Sequence, residues 1–353
     1  MQKILWEMAQ EGVTHVVSEV SSHSLDLRRV DDCDFDIGVF TNFSQDHLDY
    51  HLTMENYFQA KERFFTEVLP QSAKKRKYSM IVNADDSWGQ RLIRDAKVSP
   101  LTFGITNPAE IHAEAFRLSI EGIEAGIRIR GNRFDVMSAL IGQFNLSNIL
   151  AAVAAAAALD IPVNQIRDGV VALKNVPGRL ERVDGSRDIK VFVDYAHTED
   201  ALRRVLENLS EFREKRLITV FGCGGDRDRG KRPLMGAAAT SFSDLAIITS
   251  DNPRTEDPLA IIGAIEAGIP AGSVKKLDAE TLSLPSGRKG YAVVPDRKKA
   301  ITAAIGFAQP GDIVLIAGKG HEDYQILGDR KIFFDDRLVA AEVLKSVAGE
   351  GAF

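Results

Sequence analysis

The sequence predicts an α/β protein of two domains, the second a Rossmann-like domain with a mostly parallel sheet. Apolar runs at Ile189–Val193, Leu217–Phe221, Leu245–Thr249, Tyr291–Val294 and Ile313–Ala317 alternate with helical stretches, which is how parallel βα units read in sequence. Asn175-Val176-Pro177-Gly178 interrupts the periodicity just where that pattern starts, and divides the chain into 1–177 and 178–353. A length of 353 residues at 44% apolar composition is enough to fill two ordinary cores.

Taken in order, Met1-Gln2-Lys3-Ile4-Leu5-Trp6-Glu7 is a mixed helical start without a signal-peptide core. Residues 13–20, 35–40, 79–82 and 101–104 read as short strands, with a helix from about Met54 to Val68 between the second and third. The first of these, around His15-Val16-Val17, follows barely one helix and has no leading strand to pair with. Between Ile111 and Val136 the pattern alternates and is punctuated by glycine, which favours antiparallel strands on a partly exposed sheet. An alanine-rich helix around Ile149–Ile161, Pro162 and a helix near Val163–Leu173 close the first domain. The alanine run contains Asp160 and falls short of membrane-spanning length, so no membrane partner is expected. A net charge of −6 and a pI near 5.7 argue against a nucleic-acid binder. Cys33 and Cys223 are too few for a disulfide framework and suit a reducing cytoplasm.

The unusual residues cluster directly after the strands of the second half. Asp194-Tyr195-Ala196-His197-Thr198, Gly222-Cys223-Gly224-Gly225-Asp226-Arg227, Asp251-Asn252-Pro253-Arg254 and Gly318-Lys319-Gly320-His321-Glu322 each follow one, where an open parallel sheet forms its ligand crevice. Arg254 there can grip a carboxylate through two parallel charge-assisted hydrogen bonds, or it can be a solvated turn arginine beside Asn-Pro. Gly225-Asp226-Arg227-Asp228-Arg229-Gly230-Lys231 matches a phosphate loop until its last position, where Arg232 replaces the Ser or Thr that would hold magnesium. Its competing reading is a polar loop in which Arg227 meets an anion.

The first half offers different chemistry. Glu19 precedes Ser21-Ser22-His23-Ser24, and Thr41-Asn42 leads through Asp46 to His47-Leu48-Asp49. A carboxylate and an imidazole beyond adjacent strands can share a hard cation such as magnesium, or these can be loop polarity and helix caps. Lys61 reads on the same terms as a surface lysine of a helix.

Assembled in order, these segments resemble the Mur ligase family, and within it the members that add diaminopimelate. The resemblance rests on Glu19–Leu25, Thr41-Asn42, Asp46–His51, Tyr57–Lys61, Gly142–Asn148, Pro177–Glu181, Asp194–Thr198, Gly222–Pro233, Asp251–Pro258 and Gly318–Gln325. It implies a partial central ATP-binding domain followed by a Rossmann-like domain. It also implies a ligase in which ATP phosphorylates the D-Glu carboxylate of UDP-N-acetylmuramoyl-L-alanyl-D-glutamate, and an amine of meso-2,6-diaminopimelate attacks the acyl phosphate. By the resemblance, Glu19 and His47 serve Mg2+, and Lys61 is carbamylated to hold a second ion, which requires an amine of lowered pKa. Asn145, Asn148, Arg179 and Asp194 match ATP-side positions, and Ser21 and Arg29 match contacts to the UDP-sugar, with Leu27 standing where a glutamine is expected. Arg227, Asp251, Asn252, Pro253, Arg254, Gly318 and Glu322 match the diaminopimelate pocket. Diaminopimelate differs from lysine by a distal carboxylate, so Arg254 predicts a preference for it over lysine.

Relatives in that family carry a UDP-binding domain and a Gly-Thr-Asn-Gly-Lys-Thr-like phosphate loop before the point where this sequence starts. The expectation is therefore a fragment with little or no ligase activity alone. A lysine-adding ligase, a non-catalytic amino-acid-binding module and an unrelated phosphate-loop NTPase using Gly225–Lys231 are the alternatives.

Overall fold

The computed structural model describes residues 1–74, 80–185, 188–272, 274–284 and 287–349. They fall into two units, one of 1–118, 122–138 and 143–172, the other of 119–121, 139–142 and 173 onward.

The first unit runs α1 (Gln2–Gln10), α2 (Ser22–Asp26), β1 (Gly38–Phe40), α3 (Leu48–His51), α4 (Met54–Arg63), α5 (Leu69–Gln71), β2 (Met80–Asn83), α6 (Ser87–Asp95), β3 (Leu101–Gly104), β4 (Ile111–Ser119), β5 (Gly122–Ile129), β6 (Asn132–Ser138), α7 (Gln143–Ala158) and α8 (Val163–Ala172). Its sheet has the order β1-β2-β3-β4-β5-β6. The antiparallel meander expected near 111–136 is present, and it joins the parallel strands because β4 pairs with β3. Thr53 caps α4 and Asp86 caps α6 through their side-chain oxygens. The helix expected from Met54 to Val68 is α4 followed by a π-helical turn at Phe64–Val68, whose Phe64, Phe65 and Val68 are buried. Such turns insert a residue so that side chains on either side keep facing the core.

One expected strand is absent. Residues 13–20 are irregular, and Val17 is fully exposed. A strand exists only where a neighbour completes its ladder, and no described strand pairs with this run. The short strand expected at 35–40 keeps only its last three residues as β1, and Ser79 of the 79–82 expectation lies outside the described residues.

The second unit runs β7 (Glu181–Val183), β8 (Lys190–Asp194), α9 (Glu199–Phe212), β9 (Leu217–Phe221), α10 (Lys231–Phe242), β10 (Leu245–Ile248), α11 (Pro258–Glu266), β11 (Lys275–Lys276), β12 (Gly290–Val293), α12 (Arg297–Phe307), β13 (Ile313–Ala317), β14 (Tyr324–Leu327), β15 (Arg330–Phe333) and α13 (Asp336–Gly349). The main sheet has the order β11-β12-β10-β9-β13-β8-β7, parallel apart from β7. The central strands β9, β10 and β13 are buried at every residue, as strands covered on both faces must be. The five long strands were legible as apolar runs. The short β7 and β11 and the β14–β15 hairpin were not.

Candidate functional site

The connectivity of the second unit fixes where a ligand can sit. From β9 the chain moves outward to β10 and β12, then returns to place β13 on the other side of β9. The strand order reverses between β9 and β13, and loops leaving their carboxyl ends diverge there to open a crevice. Four loops border it: Asp194–Thr198 after β8, Gly222–Arg227 after β9, Asp251–Arg254 beyond β10 and Gly318–Glu322 after β13.

Their side chains interlock. Asn252 donates from Nδ2 to Glu322 Oε2 at 3.0 Å, while its Oδ1 accepts from Ile326 N at 3.0 Å and Lys319 Nζ at 3.2 Å. Lys319 also lies 3.3 Å from Glu322 Oε2 and 3.5 Å from Asp251 Oδ1. Tyr324 donates to Glu322 Oε1 at 3.3 Å, and Gln325 donates to the Asp251 carbonyl at 2.6 Å. Gly318 has φ +116°, and a side chain there would put its first carbon 2.9 Å from Asp251 Oδ2. Only glycine lets β13 end against that carboxylate.

Two guanidinia on these loops have no carboxylate partner among the described residues. Arg254 sits at φ +51°, and its backbone clasps the β14–β15 hairpin, its N–H bonding Ile326 O at 3.2 Å and its carbonyl accepting from Gly328 N at 2.8 Å. Its Nη1 donates to Gly225 O at 2.7 Å, which aims the guanidinium and leaves the Nε–Nη2 edge open. Arg227 is exposed on the neighbouring loop, beside Gly224. By contrast Arg232 is buried and grips Glu256 through Nη1 at 3.1 Å and Nη2 at 2.8 Å, with Arg229 3.2 Å from the same carboxylate. The Arg232 guanidinium, together with a hydrogen bond from the Asp226 amide, holds the Glu256 carboxyl down at about 2. The residue that breaks the phosphate-loop pattern is thus a buried structural arginine, and among the described residues of these loops Arg254 and Arg227 are the guanidinia left for a ligand.

After β8, Asp194 is buried and accepts from Leu180 N at 2.7 Å and Ala196 N at 2.8 Å. Burial raises its pKa and these amides oppose the shift. Arg179 is exposed, with its guanidinium 5.4 Å from the centre of the Tyr195 ring. Gly178, at φ +69°, presses so closely on Gly320 and the His321 amide that an added side-chain carbon would lie 2.2 Å from that nitrogen.

In the first unit, Lys61, Glu19, Asp46, His47 and Tyr57 are electrostatic neighbours. Burial pushes the Lys61 pKa down, while the charges of Glu19 and Asp46 push the other way. Burial also lowers the His47 pKa, favouring a neutral imidazole. Tyr57 is pushed up to about 12 by burial and by the same two carboxylates. His47 occupies the left-handed region at φ +55°, and its ring meets those of His23 and Tyr57 edge-on at 5.0 and 5.7 Å. Among the described residues no three His, Cys, Asp or Glu side chains come together closely enough to hold a metal ion. Ser21 caps α2, accepting from Ser24 N at 3.2 Å, and Arg29 is exposed. Asn145 is buried and accepts from Asn148 Nδ2 at 3.2 Å, one turn along α7. The four ATP-side residues are divided between the units, Asn145 and Asn148 in the first, Arg179 and Asp194 in the second.

Lys319 and Tyr324 belong to the crevice but were not singled out from the sequence. Lys319 lies within the Gly318–Glu322 segment, and a lysine between two glycines after a buried strand is the available signal. Among the described residues no helix is long and apolar enough to cross a membrane.

Comparison with known proteins gives the relatives of this chain. The Mur ligase middle domain model matches residues 1–156, and the Mur ligase glutamate ligase domain model matches 178–320. A UDP-N-acetylmuramoyl-L-alanyl-D-glutamate–2,6-diaminopimelate ligase of Geobacter metallireducens is 48% identical over 99% of this chain and 69% of that protein. A solved structure of a ligase of the same name is 36% identical, with a TM-score of 0.61 over 98% of this chain and 68% of that one. A MurF ligase from Thermotoga maritima, solved with ADP, shares the fold at 16% identity and a TM-score of 0.63.

Proposed function

This chain belongs to the Mur ligase family, and from that premise we propose that it serves the ATP-dependent addition of meso-2,6-diaminopimelate to UDP-N-acetylmuramoyl-L-alanyl-D-glutamate, in peptidoglycan precursor synthesis. The observation that carries the substrate assignment is the open guanidinium edge of Arg254 beside the Asn252–Lys319–Glu322 cluster. Arg254 pairs with the distal carboxylate of diaminopimelate, and Glu322 and Asp251 face its ammonium. L-Lysine has no such carboxylate and leaves the guanidinium without a partner, which costs on the order of 1–3 kcal/mol. Arg227 supplies a second cation on the same rim.

The reaction needs an activated carboxyl, because a carboxylate is a poor electrophile. ATP supplies the phosphoryl group, and the attacking amine then displaces phosphate from the acyl phosphate. Asp194 with Arg179, and Asn145 with Asn148, are assigned to the ribose and phosphate side and the adenine side respectively. Ser21 and Arg29 are assigned to the UDP-sugar, although the Ser21 hydroxyl already serves as a helix cap.

The donor set suits Mg2+. This ion keeps several waters and substrate phosphates and takes only one or two protein ligands, so it does not need the three-residue cluster that is absent among the described residues. Glu19 and the neutral imidazole of His47 would hold one ion, and Lys61, whose burial favours the unprotonated amine, would offer a carbamate oxygen to a second. When bound, magnesium offsets the charge that builds on the transferring phosphoryl group.

Calorimetry tests the reading. It should give meso-diaminopimelate at least about tenfold tighter binding than L-lysine. Equal affinity for the two amino acids would remove the substrate assignment.

A further inference from the structure

Lys319 is completely buried, and its ammonium meets three side chains of the crevice: Asn252 Oδ1 at 3.2 Å, Glu322 Oε2 at 3.3 Å and Asp251 Oδ1 at 3.5 Å. The Tyr324 ring covers it, 5.4 Å from nitrogen to ring centre. Desolvating an ammonium is expensive, and an apolar residue would brace the loop at less cost. What the amine adds is charge. Two other cations are buried in this unit: Arg232 grips Glu256, and Arg297 grips Asp336 through Nε–Oδ1 and Nη2–Oδ2 contacts of 2.8 and 2.7 Å and feels Asp251 and Glu322 only as more distant charges. Lys319 therefore offsets one of the two carboxylates, Asp251 and Glu322. One negative charge remains on the floor, and the Arg254 and Arg227 guanidinia stand on the loops that border it.

We propose that Lys319 is a specificity-determining positioning residue: its buried ammonium sets the potential in which the distal carboxylate of the incoming amino acid is read, so that the crevice favours an end bearing both ammonium and carboxylate over one bearing ammonium alone. This rests on the diaminopimelate reading above. Diaminopimelate and lysine differ by that carboxylate, so their affinity ratio reports the local potential directly. Removing the Lys319 charge makes the floor more negative and repels the carboxylate. Removing the Asp251 charge does the reverse. A lysine that merely held the loop in shape would weaken both ligands together.

The experiment compares the wild-type chain, Lys319→Met and Asp251→Asn, measuring dissociation constants for meso-diaminopimelate and L-lysine by calorimetry, with melting temperature as the folding control. The diaminopimelate preference should fall about tenfold in Lys319→Met and rise severalfold in Asp251→Asn, as one charge at a separation of several ångströms near a protein surface requires. If Lys319→Met does not fold, Asp251→Asn decides, since a ratio that stays or falls overturns the proposal. Ratios that move together or not at all in two folded variants also overturn it. A wild-type chain that fails to discriminate the two amino acids defeats the diaminopimelate reading instead, and is recognisable before any variant is made.

Discussion

Arg254→Ala isolates the contact on which substrate choice depends. In the structure Nη1 of Arg254 is held by Gly225 O at 2.7 Å, and the Nε–Nη2 edge has no partner among the described residues. That edge can give a carboxylate two parallel charge-assisted hydrogen bonds, each worth about 1.5–3 kcal/mol net in a desolvated setting. Arg254 is only half-buried, so solvent screening reduces the pair to about 2–3 kcal/mol. Diaminopimelate should then bind about 30- to 150-fold more weakly to the variant, and lysine no more than about threefold. The backbone bonds from residue 254 to Ile326 and Gly328 do not involve the side chain, so the hairpin should stay in place. Arg254→Lys keeps the charge without the fork and should recover only part of the loss. Calorimetry with both amino acids on all three proteins is the assay. Parallel losses for diaminopimelate and lysine, or no loss for either, would refute the assignment of Arg254 to the distal carboxylate.

Other outcomes follow from the same geometry. Arg232→Ser completes the letters of a phosphate loop, yet it should lower the melting temperature and confer no ATP binding, because it removes the fork that holds Glu256. Gained nucleotide affinity without lost stability would restore the NTPase alternative. Glu19→Gln removes a charge that raises the Lys61 pKa, so the amine should deprotonate, and a carbamate signal from 13C-bicarbonate should appear, at lower pH than in the wild type. An upward shift would contradict that coupling, and Lys61→Arg should give no signal. Burial works to raise the pKa of Asp85, but bonds from the Ile105, Thr106 and Asn107 amides and the Thr106 hydroxyl hold it below its ordinary value. Its folded pKa is depressed, so its contribution is full above about pH 4 and is lost as pH falls through the folded value. Asp85→Asn should cost about 1–3 kcal/mol at pH 7 in urea titrations and progressively less as pH falls below about 4.

Much of the fold and the crevice was legible because long buried strands announce themselves. Leu217–Phe221 and Ile313–Ala317 matched their strands residue for residue, since a strand covered on both faces is buried from end to end. The strand expected at 13–20 was misread for the complementary reason. Its valines carry β propensity, but propensity does not supply the neighbouring ladder that makes a strand. The β14–β15 hairpin was missed because its residues are mostly half-buried or exposed, so no apolar run marks it.

By itself the sequence determined the alternation of strands and helices, the polar loops after the strands, and the presence of an arginine where a carboxylate could be bound. It could not say which of several neighbouring arginines is available, because Arg227, Arg229, Arg232 and Arg254 have the same chemistry on paper. Only the tertiary structure decided that, by burying Arg232 against Glu256 and leaving the Arg254 edge open. The same holds for Lys319. Its charge is written in the sequence, but its burial against Asp251, Asn252 and Glu322 arises from loops brought together by the return of β13 beside β9. Electrostatic influence depends on distance and desolvation, and folding sets both.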